Sequence, residues 1–159
     1  MINLINYMIT SNYSNRLIDL SLFPAKTGDS PVKLSLRPIP LVVTGKLKAS
    51  QNYIKTLLSD IGERKEEPLY GSTLYSGLKS SNISFPVQIL QIFSSQNLLV
   101  LKWIKERYNN QTPIDEKIDK VELMEYALQP GGQIILDLKL YTQAGETADI
   151  HLPVKWQKT

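Results

Sequence analysis

The sequence has no cysteine and only one histidine, His151, among its 159 residues. Disulfide frameworks, thiolate metal sites and cysteine nucleophiles are therefore excluded, and so are zinc sites built from several histidines. His151 lies in a strand-like stretch close to Pro153. A lone histidine without a recognisable partner pattern is weak evidence for catalysis, so we expect it to have a structural or solvated role.

Phosphate-binding glycine motifs and long apolar runs are also missing. Neither the P-loop pattern nor the dinucleotide-binding GxGxxG pattern occurs, and the eight glycines are scattered at turns. No apolar run approaches the roughly 20 residues that a membrane-spanning helix needs. The first residues lack the basic region and the small-residue cleavage site of a signal peptide. We therefore expect a soluble protein, made in the cytoplasm, with no metal and no cofactor.

The net charge of +3 is unevenly distributed along the chain. Residues 1–56 contain seven Lys or Arg against two Asp or Glu, which gives +5, whereas residues 57–159 contain eleven against thirteen, which gives −2. This asymmetry indicates either two different contact surfaces or a solvated basic region. No basic cluster is dense enough to predict nucleic-acid binding.

The chain length suits one domain, which we expect to comprise all 159 residues. Residues 1–43 predict an extended N-terminal region, because residues 17–23 and 32–37 alternate apolar and polar side chains as half-buried strands do. Asn and Ser are frequent in residues 10–15, so part of this region is expected to order only on binding. Residues 44–156 are expected to form an α+β core.

Apolar spacing predicts a first helix over residues 50–61. Ser50 is its expected N-cap and Gly62 its expected C-terminal glycine. The predicted buried stripe has helical spacing and consists of Tyr53, Ile54, Leu57, Leu58 and Ile61.

Further helices are predicted in the middle of the chain. Residues 72–79 are expected to form a short helix capped by Ser72. Residues 86–108 are rich in Leu, Ile and Val, but polar residues 94–97 interrupt them, which indicates either two helices or one kinked helix. The apolar face of the second part is expected to comprise Leu98, Leu101, Ile104 and Tyr108.

The last third of the chain predicts three strands, at residues 121–126, 134–141 and 147–154. Turn residues separate them at 129–132 and at 143–146. Together they predict an antiparallel β-meander with two to four helices packed on one face, hence an α+β fold.

Acidic residues form two clusters that offer a catalytic alternative. A glycosidase needs little more than two suitably spaced carboxyl groups. These carboxylates alternate with Arg64, Lys65, Lys117 and Lys120, so solvated or ion-paired loops are the simpler interpretation. The clusters consist of Glu63, Glu66 and Glu67, and of Asp115, Glu116 and Asp119.

The most informative segment is residues 57–74, LLSDIGERKEEPLYGSTL. It resembles the signature of the baseplate wedge family of contractile-tail phages, the sheath initiators once described as lysozyme-like. The resemblance extends over residues 42–154, but only this segment is specific. The matching positions are Gly62, Glu63, Arg64, Pro68, Tyr70, Gly71, Ser72 and Leu74.

The resemblance implies a structural protein of the virion tail baseplate and not an enzyme. Proteins of this family surround the tail tube and offer sheet edges to the first sheath subunits, which add strands by β-augmentation. The implied partners are tail sheath, tail tube and other wedge proteins, in multiple copies within a symmetric assembly, without nucleic acid or membrane.

A Glu-Pro-Arg docking element usually precedes the strands in this family, but here residues 112–118 read TPIDEKI. The candidate partner-binding residues are therefore Glu63, Arg64, Pro68, Tyr70, Gly71, Glu116 and Lys117. Two other functions stay open at this point. One is a carbohydrate-cleaving enzyme that uses the acidic clusters, and the other is a nucleic-acid-binding module that uses the basic first third.

Overall fold

A computed structural model of the chain describes residues 19–20, 42–80, 86–129 and 133–155. These residues form an α+β fold, which confirms the predicted class. The helices are α1 (Gly45–Leu58), α2 (Leu74–Ser80) and α3 (Pro86–Glu106). The strands are β1 (Asp19–Leu20), β2 (Val42–Val43), β3 (Ile118–Gln129), β4 (Gln133–Thr142) and β5 (Thr147–Lys155).

Strands β3, β4 and β5 form an antiparallel meander in chain order, as predicted. In β4 every second side chain is buried, from Ile134 to Thr142, while the intervening ones are partly exposed. The predicted turn at 143–146 is present, where the Thr142 amide donates to the Glu146 carbonyl at 2.9 Å. Most of the turn expected at 129–132 lies outside the described residues.

The helices cover one face of this sheet, and the core lies between the two layers. Tyr53 and Leu57 of α1 and Phe93 and Ile104 of α3 are almost fully buried, in one apolar cluster with the buried side chains of the sheet. The opposite face is polar. In register across the three strands, Glu122 faces Lys139 and Lys139 faces Asp149, so opposite charges alternate there.

Helix α1 begins five residues earlier than predicted and ends three residues earlier. Ser50 is not its N-cap but lies inside the helix, where its hydroxyl donates to the Lys46 carbonyl at 2.8 Å. Gly62 lies in the loop beyond Ser59, which is the observed C-cap. Leu58 and Ile61, expected in the buried stripe, are 41% and 42% exposed.

The contacts at the N-terminus of α1 explain why its first residue was predicted wrongly. Its N-cap residue, Thr44, makes no side-chain capping bond. The Gly45 amide instead donates to Oε1 of Glu116 at 3.4 Å. A cap that comes from a residue 71 positions away leaves no local sequence signal.

Helix α3 runs unbroken through residues 94–97, so the two-helix alternative is wrong. These polar residues bond to neighbouring elements. Gln96 accepts a bond from the Thr73 amide at 2.8 Å. Asn97 accepts the Tyr53 hydroxyl at 2.8 Å and donates to the Val121 carbonyl at 3.0 Å.

The buried face of α3 also differs from the prediction. Leu98 is 70% exposed, whereas Phe93, Val100 and Ile104 are at most 2% exposed. The polar side chain of Asn97 reaches toward the core to bond Tyr53, so the helix is rotated such that Leu98 faces outward.

The cap of α2 is as predicted, because the Leu74 amide donates to the Ser72 hydroxyl at 3.0 Å. In the N-terminal region, Asp19 of β1 is paired with Val43 of β2. The remainder of the predicted strand at 17–23, the strand at 32–37 and residues 10–15 lie outside the described residues.

Candidate functional site

Residues 59–73, here called the closed loop, connect α1 to α2. The Ser72 amide donates to the Ser59 carbonyl at 2.8 Å, and the Ser72 hydroxyl donates to the Leu57 carbonyl at 2.6 Å. The Ile61 amide donates back to the Ser72 carbonyl at 3.3 Å. Ser72 therefore fastens the end of the loop to its beginning, directly beside the C-terminus of α1.

A cation–aromatic cluster attaches the closed loop to the end of α3. The Arg64 guanidinium lies 3.8 Å from the centre of the Tyr70 ring. Tyr70 packs edge-on against Trp103, with ring centres 4.8 Å apart. The Arg107 guanidinium covers Trp103 at 3.2 Å, and Glu67 approaches Arg107 at 3.4 Å. Contacts of these kinds contribute about 0.5–1 kcal/mol each, so the cluster fixes the loop orientation.

The tip of the closed loop is a turn that displays one apolar side chain. The Tyr70 amide donates to the Glu67 carbonyl at 2.9 Å across Pro68 and Leu69. Leu69 is 76% exposed, whereas Tyr70 is only 4% exposed. Among the candidate residues, the exposed Glu63, Arg64 and Pro68 are accessible to a partner, while the buried Tyr70 and Gly71 support the loop from inside.

The other two candidate residues, Glu116 and Lys117, lie outside the closed loop. Glu116 is 8% exposed. Its carboxylate binds Nζ of Lys48 at 2.9 Å in addition to the Gly45 amide. The Lys117 carbonyl accepts the Gln143 amide at 2.8 Å. The structure therefore gives Glu116 an internal task as the cap of α1, and partner binding by this residue stays a prediction.

A cavity of about 360 Å³ lies between the cation–aromatic cluster and Glu116. It lies between α1, the C-terminal end of α3 and the following loop. Trp103 and Arg107 of the cluster line it on one side and Glu116 lines it on the other. Sequence reasoning missed Trp103 and Arg107 as a pair, although their spacing of four residues on a predicted helix was an available signal.

The acidic clusters do not meet as a pair in this cavity. Among the described residues that line it, Glu116 is the one carboxylate, and Lys48 neutralises it. Glu63 and Glu66 are exposed, and Glu67 is ion-paired with Arg107. The geometry therefore lacks the facing pair of carboxyl groups that glycoside hydrolysis requires at this position.

The two outer strands of the sheet differ in their free edges. Pro153 in β5 has no amide hydrogen to offer a further strand. In β3, Nζ of Lys105 donates to the Asp119 carbonyl at 2.5 Å and Asn97 donates to the Val121 carbonyl. Side chains of α3 thus occupy backbone acceptors in the first half of β3, which leaves fewer of them for an added strand.

The second half of β3 is flanked by exposed apolar side chains. Met124 is 58% exposed and Leu128 is 47% exposed. Leu98 of α3 and Met124 line the same groove, which has a volume of about 530 Å³. Because strand edges bind other strands through their main chain, this half is the better candidate edge for strand addition.

The polar face of the sheet contains a close ion pair and a close histidine–carboxylate contact. The Lys120 ammonium, bonded at 2.7 Å, together with the Tyr141 hydroxyl, holds the pKa of Glu122 below its usual range. Nδ1 of His151 lies 2.6 Å from Asp137, on an exposed part of the sheet. His151 thus has the solvated position expected from the sequence.

Within the described ranges, no group of three or more His, Asp or Glu side chains is placed to hold a metal ion. No helix in that same part of the chain has the length and apolarity needed to cross a membrane.

The chain matches no family model and no curated protein. It is similar to the crystal structure of a "putative tail lysozyme" from Geobacter sulfurreducens, with a TM-score of 0.47 and 14% sequence identity. The similarity covers 70% of this chain and 90% of that chain.

Proposed function

We propose that this chain is a structural subunit of a contractile phage tail baseplate. In this function it docks to tube and wedge neighbours and initiates the sheath by offering a sheet edge. The proposal depends mainly on the closed loop. This loop contains most of the segment that resembles the baseplate wedge signature, and its matching residues each have a distinct structural role. Pro68 lies in the tip turn, Tyr70 anchors the loop to α3, Gly71 allows close backbone approach, and Ser72 fastens the ends.

Such a loop suits docking because it is already ordered before a partner arrives. A segment that is fixed by its own contacts loses little conformational entropy on binding. The exposed Leu69 at its tip is an apolar side chain in a loop that also exposes the charged residues 63–66. An apolar centre with a polar rim is the usual arrangement of a protein interface.

The edge we assign to sheath addition is the second half of β3. This part of the edge has exposed apolar side chains. It also lies past Asp119 and Val121, the two β3 residues whose carbonyls accept hydrogen bonds from side chains of α3. A strand added here would place its apolar side chains over the groove of Leu98 and Met124 and its polar ones on the charged face of the sheet.

The proposal is tested by mixing the purified chain with its cognate tube and sheath proteins. We expect sheath polymers to start on tube ends only when the chain is present, as seen by electron microscopy and sedimentation. Leu128→Glu in β3 should reduce sheath recruitment, whereas Thr147→Glu, an equally polar change at an exposed position of β5, should not. Absence of binding to sheath, tube and wedge proteins alike would overturn the proposal.

We also propose that the chain has no enzymatic activity. The lack of a second carboxylate beside Glu116 in the cavity supports this. The competing carbohydrate-cleaving function is tested with purified peptidoglycan and the unmutated protein, for which we expect no soluble fragments. Hydrolysis that is abolished by Glu63→Gln or by Glu116→Gln would show that the chain is an enzyme after all.

A further inference from the structure

The cavity beside the cation–aromatic cluster is lined by charged and apolar side chains. It is separate from the two surfaces already assigned to docking, the tip of the closed loop and the β3 edge. Its volume of about 360 Å³ lies at the lower end of the range for small-ligand sites, which suits one side chain or one small group. Its walls come from three parts of the chain, and the charged groups among them are Lys48, Arg107 and Glu116.

Arg107 is oriented in this cavity but makes only long hydrogen bonds. Its guanidinium is stacked 3.2 Å above the Trp103 ring, which fixes its plane. It donates to the Trp103 carbonyl and to Glu67, both at 3.4 Å. Five donors in a planar fork are matched by a carboxylate that accepts two of them at about 2.7–2.9 Å, so the present partners leave that capacity unused.

The carboxylate already in the cavity does not compete for Arg107. Glu116 is held by Lys48 at 2.9 Å and by the Gly45 amide. Because Lys48 and Glu116 cancel, the charged groups that line the cavity leave one positive charge, on Arg107. Glu67 approaches Arg107 from the closed loop, but this pair is exposed, with side chains 44% and 39% accessible, and such pairs contribute little.

The remaining walls fit an aliphatic side chain that ends in a polar group. Ala49, Ile104 and Pro113 supply apolar surface, and Asn52 and Gln111 supply amide groups. One surplus positive charge matches one monovalent carboxylate better than a phosphate dianion. Apolar walls beside a fixed guanidinium are the arrangement that recognises a carboxylate together with its methylene groups.

We propose that this cavity is a carboxylate-binding pocket, with Arg107 as the residue that binds the carboxylate. The carboxylate comes from an acidic side chain or from a chain terminus of a neighbouring baseplate subunit. This assignment to a baseplate neighbour rests on the proposed function, whereas the chemistry of the pocket is independent of it.

The test uses NMR titration of the whole chain with small blocked amino acids. N-acetyl-glutamate amide presents a side-chain carboxylate, and N-acetyl-alanyl-leucine presents a terminal one. N-acetyl-glutamine amide is the uncharged control for the first. We expect saturable shifts of the Trp103 indole resonance with a carboxylate ligand, and binding weaker by about tenfold or more with the glutamine control. The stronger of the two carboxylate probes identifies the source.

Variants separate a specific pocket from general attraction to positive charge. Arg107→Gln should abolish the titration, and Arg107→Lys should weaken it because the ammonium keeps the charge but loses the planar fork. The matched control is Lys102→Gln, since Lys102 is an exposed cation on the same helix, α3, but does not line the cavity. It should titrate like the unmutated chain, and thermal unfolding should show that all three variants are folded.

The pocket is overturned if neither carboxylate produces saturable shifts at 50-fold excess over the protein, if the glutamine control binds equally, or if folded Arg107→Gln binds unchanged. Its failure is distinguishable from failure of the proposed function. A chain that binds the carboxylate probe but no tail protein keeps the pocket and loses the baseplate role. A chain that nucleates sheath without binding the probes keeps the baseplate role and loses the pocket.

Discussion

Gly71 lies against the carbonyl oxygen of Ser59 so closely that a Cβ atom on Gly71 would overlap it, and the same Cβ would be 3.0 Å from the carbonyl carbon of Asp60. Gly71 also has φ of +110°, a conformation that side-chain-bearing residues rarely adopt. Both obstacles are backbone atoms, which cannot rotate away. The closed loop can therefore form only with glycine at this position.

The first prediction is that Gly71→Ala lowers the free energy of unfolding by about 2–4 kcal/mol, because backbone strain and overlap add. Urea denaturation followed by circular dichroism measures this loss. The closed loop should also open, so that the Trp103 fluorescence changes before global unfolding.

Gly62→Ala is the matched control in the same loop. Gly62 has φ of +87°, but a Cβ there would meet nothing within 4 Å. Only the conformational cost remains, about 1–2 kcal/mol. Equal losses in the two variants would show that contact with Ser59 does not hold the loop.

The strands could be predicted from the sequence because their signal is local. Alternation from Ile134 to Tyr141 requires only that one face of a sheet is buried, and Gly145 lies in the turn where the pattern places it. The cap at Ser72 was found for the same reason, since the hydroxyl and the Leu74 amide are two residues apart.

The features that sequence reasoning missed depend on distant residues. The start of α1 depends on Glu116, and the polar residues of α3 interrupt the apolar pattern because Gln96 and Asn97 bond across to Thr73 and Val121. The cavity beside Arg107 likewise needs three separate segments. Periodicity within one segment cannot report any of these contacts.

The second prediction concerns Glu116 as the cap of α1. Glu116→Ala removes the carboxylate that binds Lys48 and that accepts the bond from the Gly45 amide. We expect the free energy of unfolding to fall by about 1–3 kcal/mol, because the buried Gly45 amide loses its acceptor and the ion pair with Lys48 is lost. Chemical denaturation gives the value, and hydrogen exchange should show the first turn of α1 opening.

Glu66→Ala is the control, since Glu66 is exposed in the other acidic cluster, and its effect should stay within about 0.5 kcal/mol. A double-mutant cycle with Lys48→Met should give a coupling of about 0.5–3 kcal/mol. Additive effects would contradict the direct pair seen between Lys48 and Glu116.

The third prediction is a loss of stability at alkaline pH that depends on Tyr53. Burial raises the pKa of Tyr53 well above its ordinary value of 10.0. The stabilisation that this raised pKa gives is fully present below pH 10. It declines as the pH rises further, because the Tyr53 hydroxyl then loses its proton in the unfolded chain but keeps it in the folded chain. The slope approaches about 1.4 kcal/mol per pH unit, so roughly 1.4 kcal/mol should be lost by pH 11.

Tyr53→Phe should reduce this slope between pH 9 and pH 11 in urea denaturation. A smaller slope should remain, because burial also raises the pKa of Tyr108. At pH 7 it should cost about 1 kcal/mol, since the bond to Asn97 is lost. Phe93→Leu is a useful comparison, because it also weakens the core but removes no titrating group. If Tyr53→Phe and Phe93→Leu keep the same alkaline slope as the unmutated chain, Tyr53 is not the group responsible.

The last prediction tests the closed loop as a docking element. Leu69→Asp should weaken binding to the cognate wedge or sheath protein by about tenfold or more, because an apolar anchor at an interface centre contributes over 1 kcal/mol. Its side chain is 76% exposed, so thermal stability should not change. Ile114→Asp, at a site 60% exposed in another loop, is the control and should bind normally. Calorimetric titration distinguishes the two variants, and equal weakening by both would assign the loss to added negative charge rather than to the tip of the loop.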